Sequence, residues 1–314
     1  MLSRRIIRIK VMQSLYAHFQ GENPEMNTSE KFLFGSIDKI YDIYLYLLLF
    51  PAEFRHYVRM HFADDRVKHI PDAQQEKLVN LIINNSLIEM LETNLNLQHK
   101  SKKIRFSWTG QQDLFRYIFL ELGKDEKIQA FLKPSTDKYK TDKDFLLYLF
   151  GEFFSHSEHF QQHMEETDIH WSDDKSLVEH SVYTTIQKML PESTSEFLLD
   201  LSKDLEEDME FARRLFRKTI MRNEEFEILI SEKTRNWDVE RIAVIDIILL
   251  KMALCELLEF TSIPVKVSIN EYLEISKLYS TPKSNSFING VLDSLQIELK
   301  QQEKINKTGR GLLE

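Results

Sequence analysis

Apolar side chains return every three or four residues along most of the chain, the spacing of amphipathic helices rather than the alternation of half-buried strands. Ile6, Ile9, Met12, Gln13 and Tyr16 keep this spacing until Gly21 and Pro24, which predicts a first helix over 1–20. Asn27, Thr28 and Ser29 ahead of Glu30 mark a second start, and the pattern runs to Phe50 with Pro51 as its stop. Leu78, Leu81, Ile82, Asn85, Ile88 and Leu91 fall on one face of a further helical stretch between Pro71 and Leu97. Helices are then predicted over 112–122, 144–164 and 173–190, with a loop over 133–141. Four more follow over 211–230, 239–260, 265–279 and 286–299. The tail after Lys300, with Gly309 and Gly311 and few large apolar residues, is expected to fray.

Composition agrees with an all-α fold. Only 8 Gly and 7 Pro occur in 314 residues, too few turn-formers for a sandwich or barrel of many short strands. With 41 Lys and Arg against 50 Asp and Glu, the net charge is −9, which excludes a uniformly basic nucleic-acid coat. The single Cys255 can form neither an intramolecular disulfide nor a cysteine-based zinc site, and a reducing cytoplasmic setting is expected. The most apolar run, Ile43 to Ala52, is ten residues long and reads as a core helix, so no membrane partner is expected. The start of the chain interleaves its basic residues with Ile and lacks the apolar block of a secretory signal.

Catalytic templates are missing: there is no Gly-rich phosphate loop, no G-x-S-x-G elbow and no H-E-x-x-H, and Cys255 sits within an apolar helical run. No enzyme activity and no cofactor are expected. His156, His159 and His163 would share a helical face, but no second motif completes a metal site, and a polar helix surface is the expectation. The acidic stretch from Glu192 to Glu210 reads as a solvated face. The strongest asymmetry lies at the other extreme, where Arg4, Arg5, Arg8 and Lys10 are the only charges of the first predicted helix. Arg4 and Arg8 lie one turn apart. A guanidinium grips phosphate with a planar fork and stacks on an unpaired base, so these arginines suit RNA.

A second signal lies near the far end. Pro264-Val265-Lys266-Val267-Ser268-Ile269-Asn270-Glu271, then Ser284, then Phe287-Ile288-Asn289-Gly290-Val291-Leu292-Asp293, resembles the signature of the NusB transcription antitermination family. Trp237 to Ile242 and Ala253 to Leu257 are similar to the helices that precede that signature, and Ser3-Arg4-Arg5 to Ala17 resembles the family's opening arginine-rich helix. The resemblance implies a helical-bundle core made of 1–20 and 201–300, interrupted by a helical insertion over 21–200 and followed by a flexible tail over 301–314. It also implies an RNA-binding antitermination factor that recognises boxA-type RNA with the ribosomal protein NusE in a transcription elongation complex. Arg4, Arg5, Arg8, Tyr16, Ser284, Phe287 and Asn289 would contact the RNA, with core packing as the alternative for Tyr16 and Phe287. Glu240, Asp246 and Glu256 would meet NusE. Asn270 and Glu271 would tie the loop near Pro264 to a helix end, and Gly290 would permit a close helix approach. The sequence departs from the family at Ile247, Lys251 and Lys283. Two rival readings remain: an enzyme, since NusB-like domains also occur fused to ribosomal RNA methyltransferases, and a scaffold that has kept the fold and lost RNA binding.

Overall fold

A computed structural model describes residues 1–62, 73–191, 197–234 and 242–312. Among them no strand occurs, and no helix is long and apolar enough to cross a membrane. The helices are α1 (Arg4–Gln20), α2 (Met26–Phe62), α3 (Ala73–Ile83), α4 (Ser86–Thr93), α5 (Leu95–Ser101), α6 (Gln112–Lys124), α7 (Ile128–Phe131), α8 (Lys138–Tyr148), α9 (Phe154–His156), α10 (Glu158–Thr167), α11 (Trp171–Lys188), α12 (Leu205–Met221), α13 (Asn223–Lys233), α14 (Val244–Glu259), α15 (Val265–Tyr279) and α16 (Ser284–Gln301). They divide into two compact units: Asp38–Leu201, and Leu2–Ile37 with Ser202–Glu314.

The first unit is built on aromatic packing. Phe50 meets Phe54, Trp108, Phe115, Phe154 and Phe160 at ring-centroid distances between 4.9 and 6.0 Å. Trp108 lies flat on Tyr46 at 3.9 Å, and its indole N–H donates to the Tyr46 carbonyl. This cluster explains why α2 passes through Pro51 instead of stopping there. A proline in a helix interior costs about 3 kcal/mol, and burial of Phe50, Phe54, Tyr57 and Val58 on either side offsets that loss. The single helix predicted across 71–97 is cut into α3, α4 and α5 by two asparagines. Asn85 accepts from the amides of Leu87 and Ile88, and Asn94 accepts from Leu97, each opening a new helix. The predicted 144–164 helix is also interrupted, by a wide turn over Leu149–Phe153 and by Ser157, which caps α10. Gly151 lies in that turn against Tyr183, where an added Cβ would sit 3.0 Å from the ring.

In the second unit α1 packs on α12, α14 and α15, and α16 packs on α13, α14 and α15. Buried Ile7, Val11 and Leu15 anchor α1. The 211–230 pattern divides into α12 and α13 at Arg222. The tail, expected to fray, is tied back onto the end of α14. Thr308 N–H donates to the Thr261 carbonyl, and Lys307 Nζ donates to the carbonyls of Glu256 and Phe260. Gly311 lies so close to Thr261 that a Cβ there would clash with its carbonyl oxygen. Burial lowers the Lys307 ammonium to about 8.

Candidate nucleic-acid interface

Three arginines in the first two turns of α1 oppose its dipole, since the amino end of a helix favours anions. Ser3 supplies the cap by accepting from Ile6 N–H, and carboxylates from other helices of the unit answer the charge. Arg4 pairs with Glu207 at 2.6 Å and Asp208 at 3.0 Å, both in the first turn of α12. Arg5 grips Glu271 of α15 with two bonds of 2.9 and 2.8 Å. Arg8 does the same to Glu256 of α14 at 2.8 and 2.7 Å. Phe211 lies beneath the first and third of these cations, its ring 4.4 Å from the Arg4 guanidinium carbon and 5.3 Å from that of Arg8.

Exposure separates the three. The side chains of Arg4 and Arg5 are 33% and 42% accessible, and that of Arg8 only 3%. Burial penalises the Arg8 charge, but the hydrogen bonds and negative charge of Glu256 outweigh it, so Arg8 holds its proton more tightly than a free arginine. Glu256 is fully buried and accepts further bonds from Ser268 and Tyr272. Its place is in a closed network joining α1, α14 and α15. Hydrogen bonding from Arg5 holds the Glu271 carboxyl below the usual range. Arg4 and Arg5 border an open groove of about 1380 Å³ whose other walls come from the start of α12 and the loop leading into α15. Phe211, Phe260, Ile263, Pro264 and Val267 line it with apolar surface.

Tyr16 is 44% accessible and lies eleven residues beyond Arg5, so the two share roughly one face of α1 about 16 Å apart. Phe287 and Ser284 are buried in α16. Ser284 donates to Asp246 at 2.6 Å, and Asp246, itself buried, also accepts from Ser280. Asn289 is half-buried and donates to Asp293 within its own helix. The structure therefore brings Arg4 and Arg5 together at one groove, which the buried Arg8 also lines, and seats α16 on α14 and α15, both of which also pack on α1, while Ser284, Phe287, Asp246 and Glu256 are buried. Glu240 lies outside the described residues, as do Glu192 and Glu196 of the acidic stretch and residues 237–241 of the family resemblance. Glu271 ties α15 to α1 rather than capping a helix end, and Gly290 is exposed with nothing near it, so no close approach depends on it.

Periodicity alone did not mark Glu207, Asp208 and Phe211. The available signal was an aromatic residue directly after an acidic run that the +4 helix could neutralise. Lys251 is buried and bonds Asn223 at 2.6 Å and Glu227 at 2.7 Å. The histidines go separate ways: His156 to the Glu152 carbonyl, His159 to Glu121, and His163 to the Tyr46 hydroxyl. Cys255 is buried, and burial pushes its thiol up to about 12.

Residues 181–296 match the NusB family. The chain is 49% identical to the transcription antitermination protein NusB of Salinibacter ruber over 104 residues, 33% of this chain and 65% of that protein. It is 38% identical to the NusB of Chloroherpeton thalassium over 33% of this chain and 50% of that protein. Against the NusB of Koribacter versatilis it is 44% identical over 32% of this chain and 70% of that protein. The chain belongs to the NusB family. The matched stretch is a third of the chain and spans between half and two thirds of the Chloroherpeton and Salinibacter proteins. The NusB match includes the end of α11, α12 to α15 and most of α16, whereas the arginine helix α1 precedes it. No solved structure matches the chain.

Proposed function

We propose that the second unit is a non-enzymatic RNA-binding module of a transcription antitermination factor, taking a boxA-type single strand together with NusE in the elongation complex. The observation that carries this reading is the pair Arg4 and Arg5, a third or more exposed on the rim of one groove. Ion pairs of this exposed kind are worth about 0–1 kcal/mol, so a phosphate can replace Glu207 or Glu271 at modest cost. Arg4 and Arg5 grip phosphates, Tyr16 offers a ring for stacking, and Asn289 an amide for a base edge. Arg8, Ser284 and Phe287 act from inside, fixing the seats of α1 and α16. Asp246 and Glu256 support the NusE surface through the same framework, and Glu240 remains assigned to the NusE contact. Residues 38–201 form an added unit whose partner lies outside this reading.

The test is a fluorescence titration of a boxA-type RNA at several salt concentrations, with and without NusE. Arg4→Ala/Arg5→Ala should weaken binding and flatten the log affinity against log salt line by about 0.7 for each phosphate no longer gripped. Unchanged affinity and slope would refute the assignment. A second reading is favoured by one observation, that all three arginines already have carboxylate partners. The protein would then be a scaffold that has kept the fold without the RNA, and no saturable binding in either condition would establish it.

A further inference from the structure

Among the described residues five arginines line the groove, and they are not equally neutralised. Four have a carboxylate within hydrogen-bonding distance: Arg4 has Glu207 at 2.6 Å, Arg5 has Glu271 at 2.8 Å, Arg8 has Glu256 at 2.7 Å and Arg213 has Glu210 at 2.9 Å. Arg214 does not. Its carboxylate partner among the described residues is Glu259, whose Oε2 lies 3.7 Å away. Lys218, one turn further along α12, is 3.5 Å from that same oxygen, and Arg222 takes the other oxygen of Glu259 at 2.8 Å. One carboxylate therefore serves three cations, and of these Arg222 alone has a second acid, Glu225. Arg214 and Lys218 are left to share a single oxygen.

Both side chains are open to solvent, Arg214 at 45% and Lys218 at 40% accessibility, against 18% for Glu259. The Arg214 fork is nonetheless held in place. One of its amino groups donates to the Glu259 carbonyl, and its guanidinium carbon lies 4.9 Å from the ring of Phe260, which also lines the groove. The acids that α12 and its cap bring to the groove all precede this point, and from Arg213 to Arg222 every charged residue is a cation. Arg4 is paired with Glu207, and the rise along α12 from there to Arg214 is about 10 Å. At the axial spacing of about 3.4 Å per phosphate in a stacked strand, that rise matches about three nucleotides. A phosphate presents several oxygens where Glu259 presents one, enough for a fork and an ammonium together. Resting on the RNA-binding reading above, we propose that Arg214 and Lys218 form a second phosphate seat beside Phe260, which grips the same RNA strand about three nucleotides from the phosphate at Arg4.

The experiment uses the full chain and fluorescence anisotropy with a labelled 12-nucleotide boxA-type RNA across a series of salt concentrations. Arg214→Gln/Lys218→Gln should weaken binding by about fivefold or more and flatten the line of log affinity against log salt by about 0.7. Combined with Arg4→Ala/Arg5→Ala, it should flatten the line by a further step of that size, because the two seats hold different phosphates. Arg214→Lys/Lys218→Arg keeps both charges and should keep the wild-type slope. In the wild-type protein, an uncharged methylphosphonate placed at successive linkages should cost affinity at one linkage about three nucleotides from those gripped by Arg4 and Arg5, and that cost should vanish in the glutamine variant. Weaker binding with an unchanged slope, the result for cations that serve only the end of α14, would overturn the proposal. If Arg4→Ala/Arg5→Ala weakens binding while Arg214→Gln/Lys218→Gln leaves affinity and slope alone, the second seat is refuted and the RNA-binding reading stands. Absence of binding by the wild-type protein overturns both.

Discussion

Arg8 and Glu256 meet in the interior of the second unit, where the carboxylate takes two bonds from the guanidinium and others from Ser268 and Tyr272. Removing one member of such a pair leaves the other charge buried without its partner, which costs about 3–5 kcal/mol. Arg8→Ala and Glu256→Ala should each lower stability by about that amount, and Arg5→Ala by less than about 1 kcal/mol because Arg5 is 42% exposed. Urea unfolding of the three variants checks the ranking. A smaller loss for Arg8→Ala than for Arg5→Ala would remove Arg8 from its structural role. The sequence showed all three arginines as one cationic set. It could not separate them, because the separation depends on carboxylates at 207, 256 and 271 whose distance from α1 in space has no trace in local spacing. Glu256 looked like a surface acid inside an apolar run, and its burial is intelligible only beside Arg8.

At the scale of helices, strong periodicity was read correctly for α6, α15 and α16, where apolar spacing and the ends of the pattern coincide. It misled where an apolar-looking asparagine doubled as a cap. Asn85 completes the face of Leu78, Leu81 and Ile88 in sequence, yet its side chain stops α3 from continuing into α4, and its amide donates to the Asp142 carbonyl at 3.1 Å. Asn85→Ala should destabilise the first unit by about 1–2 kcal/mol, the loss of a cap, as read by thermal or chemical unfolding; a neutral substitution would show that the helix break is set by something else. Pro51 is the reverse case. Its local chemistry calls for a stop, and the Phe50 cluster, assembled from residues as far away as Phe160, carries the helix through.

Across the whole molecule the charge is unevenly shared. The unit containing α1 has 22 Lys and Arg against 23 Asp and Glu, a net −1, while Asp38–Leu201 has 19 against 27, a net −8. Nearly all of the net negative charge, which excluded a uniformly basic nucleic-acid coat, thus belongs to the unit of residues 38–201, and overall charge is a poor guide to what the rest of the chain binds. Composition could not show this without the boundaries of the units. The tail was equally illegible, since glycines and polar residues look alike whether frayed or docked. Ending the chain after Glu303 would leave the carbonyls of Glu256, Phe260 and Thr261 without their donors from Lys307 and Thr308. The Glu256 and Phe260 carbonyls keep the amides of Phe260 and Ile263, so the Thr261 carbonyl bears most of a loss of about 1 kcal/mol, measurable as a lower thermal midpoint; an unchanged midpoint would make the docking incidental.

The bond from Arg8 to Glu256 joins positions 248 residues apart, and this sets an order of assembly on the ribosome. At about 5–20 residues per second the amino-terminal helix waits roughly 12–50 s for its counter-ion to be synthesised. Residues 38–201 emerge within that interval and can fold first, leaving a nascent chain in which Arg8 has no counter-ion until Glu256 has been made. Delaying elongation between codons 8 and 256 would prolong that state.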